Sequence, residues 1–433
     1  MQKPTIYFHS NIISPRVTYT IDFIFKQVLH WDVIVSSDIS EIPKNSVFIN
    51  YSEENYSNAL HIFPHGLLFQ NGFDPTVVTS MHEVVDKIKT GNFNVDIFSF
   101  IFFCISRYEE YLDGHKDKMG RFISDHSILY DNNHGLAPWV DITIRWIFET
   151  LNSKYPSHKL TSGMTYKLIS TVDIDQAWQY ANKGVYSVAG VVKSLIAFNF
   201  KNSFYRLKSI FKPASDPYYQ YETIDKFHIQ NDIPRPIYFF LLAKRRNTYD
   251  KNHKSSNRAL IRLIKGLSQN HTIGIHPSYR SHKNIKILKS EKASLEKILN
   301  TTVEHSRQHY LKMSIPSTYR SLLGIGIHHD YSMGYADRIG YRAGTGYAYL
   351  WYDLENERVS ELWVHPFQVM DVTLQKYMGL KTNEAMEYFK DLVKMARQYH
   401  TPLSILWHNS SLCDQGVWKG WKGVYAYFLK IGK

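Results

Sequence analysis

From Lys167 onward, the chain alternates between runs typical of β-strands and runs typical of α-helices. The strand-like runs are KLISTVDID, RPIYFFLLA, TIGIHPS, SRQHYL, GIHHDYSM and PLSILWHN. The helix-like runs span residues 222–231, 257–269, 291–299 and 384–398. Alternation of this kind favours parallel strands joined by right-handed crossovers. We therefore predict an α/β domain over residues 164–433, with functional side chains at the carboxyl ends of its strands if the sheet closes into a barrel.

The first 155 residues predict a separate, smaller α/β domain. The runs TIYFHS, DVIVSS and SVFINYS are short and bounded by polar turns, as strands are. Residues 97–112 and 140–151 have the apolar faces of helices. No glycine-rich nucleotide fingerprint is present, so the sequence assigns no ligand to this domain.

Residues 176–215 interrupt the alternation. They contain no Asp or Glu but six Lys or Arg, interleaved with apolar side chains such as Val191, Val192, Leu195, Ile196 and Phe198. A basic and apolar stretch can lie on an anionic membrane surface. It can equally be an insertion, at about residues 180–220, that packs over the mouth of the barrel. We prefer the insertion from the sequence.

Composition narrows the class of protein. Hydrophobic residues make up 44% of the chain, which argues against disorder, and only Cys104 and Cys413 are available for a disulfide. The N-terminal sequence does not resemble a signal peptide, and the most apolar run, residues 97–105, is shorter than the ~20 residues of a spanning helix. We therefore expect a cytoplasmic protein.

The net charge of +12 favours an anionic partner. The sequence contains no zinc knuckle, RNA-recognition signature or clear helix-turn-helix, so nucleic acid is not expected. The remaining candidates for an anionic partner are an acidic glycan, its diphosphate carrier and a membrane surface.

Two carboxylates stand two residues apart at the end of the first strand-like run. In an extended strand, Asp173 and Asp175 would project from the same face. Such a pair suits one metal ligand beside one general base. The plainer alternative is a pair of solvated turn acids.

Four later residues also lie in strand-like runs, most of them near the end of the run. His276 is a candidate imidazole ligand for a metal. Arg307 can hold a carboxylate in a fixed geometry, and Asp330 can in turn orient Arg307. His408 is a candidate general acid, and its neighbour Trp407 can stack on the apolar face of a sugar.

Taken in order, these stretches resemble the five motifs of the polysaccharide deacetylases, the family-four carbohydrate esterases, whose fold is a distorted (β/α) barrel. The matching positions are Thr171, Asp173 and Asp175, then His276, then Arg307 and Tyr310, then Asp330, and finally Leu403, Ile405 and His408. The runs GIHPSYRS, RQHYLK, DYSMGYADRIGYRAGT, HPFQVMDVT and WHNSSL are similar to a bacterial subfamily with an additional N-terminal domain, and SRYEEYLDGH is similar to that leading domain.

The resemblance implies metal-assisted removal of an acetyl group from an N-acetylated or O-acetylated carbohydrate. Asp173 would be the base, steadied by Arg307 and Asp330, and His408 would be the acid. Asp175 and His276 would bind a divalent metal, for which zinc is the first candidate. The residues expected to bind substrate are Ser278, Tyr279, Arg280, Tyr310, Arg342, Trp407 and Asn409.

The chain departs from the family pattern at two points. The acids are spaced D-x-D rather than adjacent, so either can be the base. The second motif carries Arg280 where a second metal-binding His is usual, and the third carries His309 where Pro is usual. His282, His309, water or substrate can fill the missing ligand position, or no metal binds.

Two other functions follow from these departures. Without a metal, the chain would be a catalytically inactive carbohydrate-binding protein. With residues 176–215 on a bilayer, it would be a peripheral membrane protein of glycan assembly, at the inner face of the membrane. A lipid-linked, anionic carbohydrate substrate would accommodate both activity and membrane contact.

Overall fold

A computed structural model describes residues 3–112, 116–130 and 137–433. Its N-terminal part has a four-stranded parallel sheet in the order β2-β1-β3-β4. The elements of this part are β1 (Thr5–His9), α1 (Pro15–Ile21), β2 (Asp32–Ser36), β3 (Val47–Asn50), β4 (Leu60–His61), α2 (Thr76–Lys89), α3 (Ile97–Ser106), α4 (Tyr108–Tyr111) and α5 (Trp139–Lys154).

The rest of the chain is built around a larger sheet. Its elements are β5 (Leu168–Ile174), α6 (Val185–Ile196), α7 (Phe200–Phe211), α8 (Tyr221–Gln230), β6 (Ile237–Leu241), α9 (Arg258–Leu267), β7 (Ile273–His276), α10 (Ile285–Leu299), β8 (His305–Ser306), α11 (Ser317–Leu323), β9 (His329–Asp330), β10 (Tyr349–Asp353), β11 (Arg358–Val364), β12 (Val369–Met370), α12 (Thr382–Gln398), β13 (Leu403–His408) and α13 (Trp421–Ile431). Division of the chain into domains at residues 155 and 164 stays a prediction.

The larger sheet confirms the predicted α/β class but not the barrel. Its nine strands run in the order β10-β11-β9-β8-β7-β6-β5-β13-β12, parallel except at the β10–β11 pair. Among the described residues, no ladder joins β10 to β12, so the sheet is open. β5, from the first candidate motif, lies between β6 and β13.

Burial explains why the central strands have nearly continuous apolar sequences. Helices cover both faces of a parallel sheet, so side chains of both alternations are buried. In β6, for example, Tyr238, Phe239, Phe240 and Leu241 are all buried. The covering helices bury one stripe each, as Leu260, Ile264 and Leu267 do in α9.

Two predicted elements are shorter than expected. The helix expected over residues 97–112 is divided at Arg107, whose φ of 58° is left-handed. The strand expected from SRQHYL pairs only over β8 and then turns through a short 3₁₀ segment, His309–Leu311. Of the run SRYEEYLDGH, residues 106–115, the last three lie outside the described part of the chain.

A buried network of charged residues joins the N-terminal part to the larger sheet. Glu110 accepts from Arg107 Nε at 2.8 Å and from Arg342 Nε and Nη2 at 2.8 and 2.6 Å. Arg342 also donates to the carbonyl of Gly334 at 2.9 Å. This corrects the substrate-binding role expected of Arg342, because its buried guanidinium is bonded within the protein instead.

Removal of the shared carboxylate should destabilise the whole structure. Glu110→Ala would leave the buried guanidinium of Arg342 without its carboxylate partner and would leave Arg107 paired with Glu109 alone. Removal of one partner of a buried ion pair typically costs about 3–5 kcal/mol of unfolding free energy. Urea unfolding followed by tryptophan fluorescence measures this. The control Glu387→Ala breaks an exposed pair with Lys390 and should cost less than about 1 kcal/mol. Equal effects in the two variants would contradict the proposed importance of the buried network.

Candidate active site

The carboxyl ends of β5, β7, β8 and β13 converge on one cavity of about 140 Å³. Its lining includes Asp173, Asp175, His276, His309, Tyr310 and His408. The sheet register explains part of this convergence, since Asp173 and His408 are direct neighbours on β5 and β13. β7 brings His276 to the same edge, and the turn after β8 brings His309.

Three of these side chains form a compact set of groups that could hold a metal ion. His276 Nε2 and His309 Nε2 each lie 3.4 Å from Asp175 Oδ1. One donor atom from each residue lies within 4.8 Å of the other two. His309 thus supplies the third potential ligand that Arg280 cannot, while His282 lies outside this cluster, near Ser314.

Hydrogen bonds orient both imidazoles towards this cluster. His276 Nδ1 lies 2.6 Å from the carbonyl oxygen of Arg307, which can only accept, so Nδ1 carries the proton. His309 Nδ1 is likewise bonded to Asp250 Oδ1 at 3.0 Å. Each Nε2 therefore has its lone pair available in the neutral imidazole, the arrangement that metal-binding histidines use.

Two of the clustered atoms are buried without a hydrogen-bond partner among the described residues: Asp175 Oδ1 and His276 Nε2. An unpaired carboxylate oxygen and an unpaired imidazole nitrogen would both be costly to bury. A divalent cation satisfies both at once. The donor set, two imidazoles and a carboxylate, is also one that zinc uses in catalytic sites.

The charges within this cluster also shift the pKa values of its own members. Burial alone would lower the pKa of His309, but the carboxylates of Asp175 and Asp250 outweigh it and raise the pKa to about 9. Burial alone would raise the pKa of Asp175, but His309 and His276 hold it well below its usual value. In the absence of a metal, a proton on His309 thus compensates the Asp175 charge.

Asp173 belongs to a different set of contacts. Its Oδ1 accepts from Arg307 Nη1 at 3.1 Å, and its Oδ2 lies 3.7 Å from His276 Nε2. Arg307 Nη1 also donates to Thr171 Oγ1 at 2.6 Å, and the guanidinium lies over the ring of Phe239. Asp173 is therefore fixed beside the metal-binding cluster.

The expected link between Asp330 and Arg307 is indirect, which corrects the sequence prediction. Asp330 accepts from the hydroxyls of Ser306 and Ser332 and from the Ser332 N–H. Arg307 Nε donates instead to the carbonyl of Tyr331, at 2.9 Å. Asp330 therefore holds the side chain of Ser306, which precedes Arg307, and that of Ser332, whose oxygen accepts from the Gln308 N–H at 2.9 Å, rather than the guanidinium itself.

His408 is paired with a carboxylate that the sequence argument did not include. Its Nδ1 lies 2.8 Å from Asp371 Oδ1, while Asp371 Oδ2 accepts from the His408 N–H at 2.8 Å and from the Ser411 hydroxyl. Burial lowers the pKa of His408, but Asp371 outweighs this and raises the pKa to about 10. His408 is therefore protonated at neutral pH.

The residues expected to bind substrate are distributed over two regions. Tyr310 lines the central cavity. Arg280 is exposed and lines two neighbouring cavities of about 360 and 460 Å³. Ser278 lines the smaller of these, and Tyr279 lines the larger, where its ring stacks on Tyr249.

Two substrate predictions are corrected by burial. Trp407 is fully buried and contacts Trp421, Tyr425 and Phe428, so its ring cannot stack on a sugar. Asn409 is also buried, and its side-chain nitrogen donates to the carbonyls of Gln176, the first residue of the basic stretch 176–215, and of Tyr218, just after it.

Sequence reasoning missed Asp250, Asp371 and Arg121. Asp250 and Asp371 lie outside the residues singled out from the strand ends, although Asp371 falls in the run HPFQVMDVT. Arg121 comes from the N-terminal part and reaches the cavity by donating to the Tyr310 carbonyl at 3.2 Å. No local pattern marks such an approach between distant segments.

Comparison with known proteins gives a limited result. Residues 5–156 match the model "Family of unknown function (DUF7033)". No curated protein matches the chain.

Two solved structures show partial likeness. A Mycobacterium smegmatis protein named as a polysaccharide deacetylase has 14% identity and a TM-score of 0.39, covering 62% of this chain and 83% of its own. A Bacillus cereus polysaccharide deacetylase has 11% identity and a TM-score of 0.29, covering 62% and 85%. At these values, neither likeness bears on the activity of this chain.

Metal content should depend on His309 and not on His282. We expect purified protein loaded with zinc to retain a single ion per chain, measured by plasma mass spectrometry after removal of free metal. His309→Ala should weaken binding more than Asp250→Ala, for which the loss of an orienting carboxylate predicts about 10–100-fold. His282→Ala is the matched control and should bind normally. A His309→Ala variant with unchanged zinc affinity would contradict the assignment.

Zinc affinity should rise with pH. Metal binding must displace the proton from His309, whose pKa is about 9 in the metal-free site. The affinity should therefore increase about tenfold per pH unit up to about pH 9 and then level off. Calorimetry in buffers of different ionisation enthalpy measures the proton released. Absence of proton release at pH 7.5 would contradict this account of the cluster.

Proposed function

We propose that this protein is a metal-dependent carbohydrate deacetylase that hydrolyses an N-linked, or alternatively O-linked, acetyl group. The observation that carries the proposal is the juxtaposition, in one cavity, of three candidate metal ligands with a second carboxylate, Asp173, and a third imidazole, His408. Asp175, His276 and His309 would hold a divalent cation, for which zinc is our first candidate. The motif resemblance to polysaccharide deacetylases supports the same activity.

When bound, the cation would supply Lewis acidity, which activates water and polarises the acetyl carbonyl. Asp173 would accept the proton that water gives up as it attacks the carbonyl carbon. The ion pair with Arg307 keeps this carboxylate oriented. The D-x-D spacing therefore separates the two acids by role: Asp175 faces both imidazoles, and Asp173 faces the guanidinium.

His408 would act as the general acid. Its Nδ1 proton is held by Asp371, so the Nε2 proton of the imidazolium remains for transfer to the leaving group. Breakage of the carbon–nitrogen bond, with this proton added to nitrogen, yields acetate and a free amine. A backbone N–H near Tyr310 would help to bind the oxyanion that forms during attack.

An anionic carbohydrate is the proposed substrate class. Lys376 lines the central cavity, together with Arg121, whose guanidinium is already paired with Asp117. Arg280, Lys283 and Lys312 line the adjoining cavity of about 460 Å³, where Lys312 lies over the ring of Tyr279. Cationic side chains beside aromatic faces suit a sugar that bears carboxylate or phosphate groups.

The inactive carbohydrate-binding alternative is less well supported. Its main motivation was Arg280 in place of a ligand, but His309 provides an imidazole at the same cluster. Carbohydrate binding without acetate release by the zinc-loaded protein would favour that alternative.

Acetate release should require both Asp173 and His408. Asp173→Asn and His408→Ala should each lower kcat/KM by about 10²–10⁴-fold, the usual contribution of a general base or acid. The assay uses zinc-loaded protein with N-acetylated oligosaccharides, compared with uronate-bearing equivalents. The exposed Asp391→Asn and His82→Ala variants serve as matched controls and should remain active. Full activity in both site variants would overturn the mechanism, and a preference for neutral sugars would overturn the substrate class.

A further inference from the structure

Helices α6 and α7 form a hairpin whose apolar side faces outwards. In most surface helices the apolar stripe is buried against the protein. Here most of the buried positions are serines, namely Ser187 and Ser194 in α6 and Ser203 and Ser209 in α7, and they are joined by the apolar Val191. The exposed large apolar side chains are Val185, Tyr186, Val188, Val192, Leu195 and Ile196 from α6, Phe198 from the connection, and Phe200, Phe204, Leu207 and Phe211 from α7.

These exposed positions have helical spacing, so they form a continuous surface and not a scatter of single residues. Val188, Val192 and Leu195 share one face of α6, and Phe200, Phe204, Leu207 and Phe211 share one face of α7. The two helices pack on each other. A continuous exposed apolar surface of this kind usually marks a contact with another molecule or with lipid.

The charges on the hairpin indicate which contact is made. Residues 176–215 contain no acidic side chain. Lys193, Lys201, Lys208 and Lys212 are all exposed around the apolar surface. A protein surface that covered the apolar face would have no acidic group of the hairpin to pair with, whereas an anionic bilayer offers both apolar depth and negative charge.

We propose that the α6–α7 hairpin docks this protein on the surface of an anionic lipid bilayer. Each helix has 12 residues and is about 18 Å long, shorter than the ~30 Å hydrocarbon core, so the helices would lie in the interface rather than cross it. Among the described residues, no helix is long and apolar enough to span a membrane.

The base of the hairpin is fixed next to the candidate active site. The hairpin segment begins at Gln176, directly after Asp175, and Asn409 Nδ2 donates to the Gln176 carbonyl at 3.0 Å. Asp216 closes the other end by accepting from the backbone N–H groups of Gln179, Tyr180 and Ala181. A bilayer bound to the hairpin would therefore lie close to the cavity, which suits a glycan attached to lipid or lying at the membrane surface.

Vesicle sedimentation of the full-length protein tests this proposal. We expect binding to vesicles of phosphatidylcholine mixed with phosphatidylglycerol, and weaker binding to phosphatidylcholine alone. The double variant Val192→Glu/Phe204→Glu should lower the partition coefficient by at least about tenfold, because both side chains would lose burial in lipid. Phe63→Glu is the matched control: Phe63 and Phe204 are 60% and 63% exposed, but Phe63 lies outside the hairpin.

The outcomes separate this proposal from the alternatives. Equal binding by the double variant and by Phe63→Glu would overturn it. A wild-type dimer in light scattering, converted to a monomer by the double variant without any vesicle binding, would show that a second copy of the chain covers the hairpin and would also overturn it. Turnover of a water-soluble substrate should be unchanged in the double variant, so this test is independent of the proposed deacetylase activity.

Discussion

Two acceptor oxygens determine the chemistry available in the cavity. The Arg307 carbonyl and the Asp250 carboxylate hold the Nδ1 protons of His276 and His309, and both Nε2 atoms consequently face Asp175. Without these bonds, either imidazole can turn or change tautomer, and the three donor atoms no longer form a set. The other residues of the cavity surround these two imidazoles, whose orientation is fixed.

The open parallel sheet supports the constraint by placing strand ends side by side. Asp173 and His408 are neighbours on adjacent strands, so the proposed base and the proposed acid flank the same cavity. Their environments differ: Asp173 is paired with a buried guanidinium, whereas His408 is paired with the carboxylate of Asp371. Opposite partners favour opposite charges on the two groups, which a base and an acid at one site require.

The sequence identifies most of the candidate site residues at the strand ends, but it does not identify the residues that hydrogen-bond to them. Asp173, Asp175, His276, Arg307 and His408 each lie in a strand-like run, most of them near its end, and the sheet brings them together. Asp250 and Asp371 act through tertiary contacts that have no local pattern.

Other predictions failed for similar reasons. Trp407 is buried outside the cavity, and Arg342 donates its hydrogen bonds to Glu110, a residue of the N-terminal part of the chain. His309 was one of several alternatives for the missing ligand, and only coordinates distinguish it from His282. The sequence alone also does not show which helix positions within residues 176–215 are buried against the protein, so it does not predict that the apolar face is exposed.

The account depends most on a metal bound by two imidazoles and a carboxylate. Zinc-edge X-ray absorption spectroscopy of the zinc-loaded, full-length protein measures this ligand set directly. The account predicts two imidazole nitrogens and oxygen ligands at about 2.0–2.2 Å, with one imidazole lost in His309→Ala. A spectrum without imidazole scattering, or one that His309→Ala leaves unchanged, would contradict it.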